Sequence, residues 1–66
     1  MWELWIWNGH YIKGKLLKRY KAKDSLMKYA KKNVEFHKMV QSSSNKREFF
    51  LDDKEGRPVG IIINNT

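Results

Sequence analysis

The sequence predicts a small α+β protein: a single antiparallel β-sheet of four to five strands with one α-helix packed on one face, in the order β-(β)-α-β-β-β. Three observations point there. Apolar runs rich in aromatic and β-branched residues lie near both ends of the chain and suit strands. One internal stretch alone carries helix signals. The segments between these runs have turn compositions. The 66 residues are read as one domain, 1–66, short enough that only about 60% of the unfolded surface is buried on folding.

Residues 2–7, WELWIW, are apolar at every position but Glu3 and read as the first strand. Asn8-Gly9 follows at once, a strong hairpin signal. Two registers are open. A two-residue turn pairs Trp7 with His10, Ile6 with Tyr11 and Trp5 with Ile12. A looser hairpin extends its loop to Gly14 and returns along KLLKRYKA. The segment KDSLMKYAKKN reads as the helix. Asp24, or less well Ser25, suits the N-cap, because its side chain accepts from free backbone N–H groups. Leu26, Met27 and Ala30 share a face, with Val34 one step beyond. Lys31 and Lys32 fall in the last turn, where the dipole favours cations, and Asn33 suits a left-handed end.

Three further strands are expected. VEFHKMV carries Val34, Phe36 and Val40 in one phase, REFFLD carries Phe49 and Leu51, and PVGIIIN carries Val59, Ile61 and Ile63. These phases should face the helix. The opposite phase then holds Met39, Phe50 and Ile62, with His37, as an apolar strip on the second face and a candidate protein interface. GIIINN reads as an exposed edge that could pair with a second copy, making a homodimer the third expectation for partners.

With no cysteine, the core has no disulfide to staple it and no thiol nucleophile. Aromatic bulk must supply the stability, so at least two of Trp2, Trp5 and Trp7 are expected to be structural. Catalysis is not expected. Asp52, Asp53 and Glu55 lack the spacing of a calcium loop and sit where a turn belongs. His10 and His37 have no partner suggesting a triad or metal pair, and the glycines form no phosphate-cradling loop. No cofactor or metal is expected. The chain has no signal peptide pattern and no long apolar run, which predicts a cytoplasmic protein without membrane contact.

Charge is the stronger signal. The chain carries 14 Lys and Arg against 7 Asp and Glu, and the excess is local: the segment 13–38 has a net charge of +8, everything outside it −1. Aromatic residues are interleaved with the cations. The candidate polyanion-binding residues are Lys13, Lys15, Lys18, Arg19, Tyr20, Lys21, Lys23, Lys28, Lys31 and Lys32. Such a stripe suits a phosphate backbone, whose neutralisation releases counterions. Lysine is a point charge without the fork that reads base edges, so backbone contact with DNA or RNA should dominate. The alternative is a protein-binding inhibitor or adaptor of the kind phages and mobile elements encode, an anti-defence inhibitor for example. It would dock on an acidic surface of a partner such as a nucleic-acid-handling enzyme.

Overall fold

Residues 1–7 and 13–65 are described by the structure, a computed structural model. The chain forms β1 (Trp2–Trp7), β2 (Lys13–Tyr20), α1 (Lys23–Asn33), β3 (Lys38–Gln41), β4 (Glu48–Asp52) and β5 (Pro58–Asn64). The strands make one sheet in the order β2-β1-β5-β4-β3, with every neighbouring pair antiparallel. This is a small α+β fold, with the helix packed over β1 and β2.

The last strand is central, not an edge. β5 is paired by β1 on one side and β4 on the other, so GIIINN offers no free ladder for a second copy. Its composition explains the placement. Ile61 and Ile62 are both buried, one on each face of the sheet, and a strand covered on both faces reads as an unbroken apolar run. Gly60 lies where β1 comes close: a Cβ there would sit 3.2 Å from the carbonyl oxygen of Trp5.

The helix-side core joins Leu4, Leu26, Ala30, Val34, Leu51 and Ile62, with Met39, Phe49, Trp2 and Ile6 packed against it. Strand phases therefore differ from those expected in β3 and β5. Met39 and Ile62 face the helix; Val40 and Ile61 face away, in one row with Phe50. The strip Met39, Phe50, Ile62 does not exist as a surface, because those side chains fall on opposite sides of the sheet. The runs KMV and III are apolar in both phases, so alternation alone gave no register.

In the first hairpin, Trp5 pairs with Leu16 and Trp7 with Lys13, which excludes the two-residue turn, and β2 begins at Lys13, two residues before the return strand of the looser hairpin. The Asn8-Gly9 turn, with His10, Tyr11 and Ile12, lies outside the described residues. Two irregularities interrupt the β1–β2 ladder, between Leu4 and Trp5 and between Ile6 and Trp7. At the first, Leu17 and Lys18 share the span opposite Leu4. Leu17 packs on the core, and Lys18 extends over the helix-side surface.

The helix spans KDSLMKYAKKN, but its caps differ from the sequence reading. Ala22 is the N-cap and gives no side-chain hydrogen bond; Asp24 sits inside the first turn. At the other end Asn33 is not left-handed. Its Nδ2 donates to the Tyr29 carbonyl, and the Val34 N–H closes on Ala30 O.

Candidate functional site

Asp52, Asp53 and Glu55 stand at the β4–β5 turn, whose geometry accounts for Asp53. Its Oδ1 accepts the backbone N–H groups of Glu55 and Arg57, and Gly56 takes the left-handed φ of 81° that the turn needs. Next to this turn is an open concavity of about 400 Å³, lined by Glu35, Phe36, His37, Asp53, Lys54, Glu55 and Val59. Among the described residues no group of three potential ligands is placed to hold a metal ion. Nor is any helix there long and apolar enough to cross a membrane.

The basic segment is gathered by the topology. β2 is an edge strand, and α1 covers the half of the sheet that β2 and β1 form. Lys15 stands opposite Ile6 and Lys18 opposite Leu4, both on the helix side of the sheet. Lys21 is exposed between strand and helix. Lys28, Lys31 and Lys32 are exposed and, at 100° per residue, project from the side of the helix opposite Leu26 and Ala30. Lys13 holds the strand position opposite Trp7; its side chain lies outside the described residues.

Two of these ammonium groups rest on aromatic rings. Lys18 Nζ lies 5.8 Å from the Tyr20 ring centroid and 5.7 Å from that of Tyr29, while the two rings meet tilted at 6.1 Å. Lys23 Nζ lies 5.6 Å from Trp2 and 5.3 Å from Phe49, rings that also touch each other. Within about 6 Å a ring face attracts a cation without neutralising it. These contacts hold the charge in place and leave it positive. Tyr29, interleaved in the sequence between Lys28 and Lys31, was not among the candidate residues with Tyr20, yet it shares the Lys18 ammonium with that ring.

Arg19 does not join the group. Alternation turns it to the helix-free face, where its Nε donates to Glu3 Oε2 at 3.1 Å. Glu3 is 5% exposed and also accepts from the Trp5 indole N–H at 3.0 Å and from Asn65 Nδ2 at 3.5 Å. Burial pushes the Glu3 pKa up, but the donors Trp5, Asn65 and Arg19 outweigh it and hold the carboxyl below its ordinary 4.5. Sequence reasoning missed Glu3. The signal was present, since it is the one acid in WELWIW and shares its phase with two indoles, each of which brings an N–H that needs an acceptor.

The middle of the helix-free face is apolar. Leu16, Trp5, Ile61, Phe50 and Val40 form one cross-strand row over all five strands, and Trp7 meets Phe50 edge-on at 5.9 Å. The molecule thus has two unlike sides, one cationic beside the helix and one aromatic on bare sheet. Compared with known proteins, the chain matches no family model, no curated protein and no solved structure.

Proposed function

We propose that the protein is a small non-catalytic binding protein whose cationic β2–α1 side holds a polyanion, the phosphate backbone of nucleic acid. One observation carries the reading: an edge strand and the helix above it bring Lys15, Lys18, Lys21, Lys28, Lys31 and Lys32 to one side of the molecule. Asp24 is the only acid between Lys13 and Asn33. The one arginine of the segment is engaged by Glu3 on the other face, which leaves lysines as point charges and argues for contact without base readout. Tyr20 and Tyr29 beside Lys18 add ring surface on which an unpaired base can stack.

Titration of labelled single-stranded and duplex oligonucleotides at about 50 and about 200 mM salt tests this. Affinity should fall steeply between the two. The triple variant Lys28→Glu, Lys31→Glu, Lys32→Glu should lose binding at the lower salt while keeping its circular dichroism, because all three side chains are exposed. Each single lysine removed should lower the salt slope by about one. Absence of binding at the lower salt ends the proposal.

A second reading uses the same side on an acidic protein surface, favoured by the rings beside Lys18 and Lys23, since aromatic residues anchor interfaces. There the triple variant loses the protein partner while oligonucleotide affinity is negligible from the start.

A further inference from the structure

We infer, resting on the nucleic-acid reading above, that the polyanion is a single strand whose unpaired bases stack at two aromatic seats, one on each flank of the helix. The first seat is Tyr20 and Tyr29, whose rings meet at 6.1 Å below the Lys18 ammonium. The second is Trp2 and Phe49, also 6.1 Å apart, below that of Lys23. Helical geometry sets the seats apart. At about 100° per residue, Lys23 and Tyr29 lie about 60° to either side of Leu26, which is fully buried. Tyr29 therefore meets β2 on one flank, and Lys23 reaches β1 and β4 on the other. The sheet joins them, since Trp2 and Tyr20 pair directly across β1 and β2 on the helix side. Exposed Lys21 links them along the chain, between Tyr20 of one seat and Lys23 of the other.

The lysines mark ring faces that a ligand can reach. All four aromatic residues are half-buried, and Lys18 and Lys23 are exposed. An ammonium group is strongly hydrated, so a ring face that carries one lies at the water boundary and not inside the core. A nucleotide can use both parts of such a seat. Its base replaces the ammonium on the ring, and the displaced ammonium pairs with its phosphate. A duplex offers no base for this, because its bases stack on one another and present only their edges. Relief also counts against the duplex. Lys28, Lys31 and Lys32 stand on the outer side of the helix, whereas Lys15 and Lys18 rise from the strand beside it. The two levels differ by roughly a helix diameter, about 10 Å. Duplex DNA is stiff over about 150 base pairs, while this molecule is 30 Å in its longest extent. A straight duplex engages one level; a single strand bends across both.

Fluorescence-anisotropy titrations of the full chain in about 50 mM salt test this with three probes. They are a DNA strand of about 16 nucleotides, its duplex, and an abasic strand with the same phosphates and no bases. The duplex has the denser charge, so lysines alone favour it and a preference for the single strand reports the rings. The natural single strand should bind at least about tenfold tighter than either other probe. Tyr29→Leu, which keeps apolar bulk at the core's edge, should lower single-strand affinity about tenfold and leave duplex affinity unchanged. The abasic comparison uses the unaltered chain, so the test does not depend on how the variant folds. A duplex or an abasic strand held as tightly as the natural single strand overturns this inference alone, with the backbone reading left standing. Unchanged single-strand affinity in Tyr29→Leu overturns it too. Binding of none of the three probes overturns both.

Discussion

A carboxylate set among tryptophans is costly to bury, and Glu3 is tolerated because three side chains donate to it. Its folded pKa lies below the unfolded value. Ionised Glu3 therefore stabilises the fold fully above about pH 4.5, and that contribution is lost as pH falls through the lower folded pKa. Urea midpoints measured from neutral pH downward should show this loss below pH 4.5. In Glu3→Gln the acid-side loss should shrink, on a baseline lowered by about 1–3 kcal/mol, because an amide cannot accept from all three donors. An unchanged acid limb in the variant would place the pH dependence elsewhere. At this scale the sequence was legible where one residue type had one job. Asp53 read as a turn residue and is one. Met39 and Ile62 were misplaced because each has an apolar neighbour on the opposite face, and no polar residue marks which side is wet.

The elements were read more reliably than their ends. The helix and β5 match the sequence reading residue for residue, since a 3.6-residue apolar period and an unbroken apolar run leave little choice. Caps are set by a few torsions and were not visible. Ala22 has the extended conformation of an N-cap, φ −102° and ψ 136°, without a side chain able to accept. Ala22→Ser should supply that acceptor and raise stability by about 1 kcal/mol. For a chain of this size that corresponds to a melting temperature higher by about 4–8 °C. A melting curve that stays put would mean that the first-turn N–H groups already have partners in water as good as a hydroxyl. Among the edge strands, β3 is shorter than VEFHKMV implied: residues 34–37 instead carry the chain from the helix toward the far edge, with Val34 and Phe36 packing against the helix-side core.

On the scale of the whole molecule, the gathering of the basic segment was legible as charge density but not as a surface. It became one through the strand order, which no local signal specifies. The same order divides the sheet. β1 and β2 form one antiparallel pair with the helix over it, and β3 and β4 form another. Among the described residues these two halves share no ladder except through β5, although rings such as Trp7 and Phe50 meet across it. A chain stopped at Gly56 should therefore give no sigmoidal urea transition, followed by far-UV circular dichroism, whereas partial cooperativity would show that the ring contacts suffice. During synthesis, both hairpins emerge before the strand that joins them. Until residues 58–64 have left the ribosome, each half keeps an apolar flank and an unpaired ladder open to other chains. The interval is short, under a few seconds at ordinary translation rates, but in it the growing chain has the aggregation hazard of an incomplete sheet, and its final strand ends that hazard.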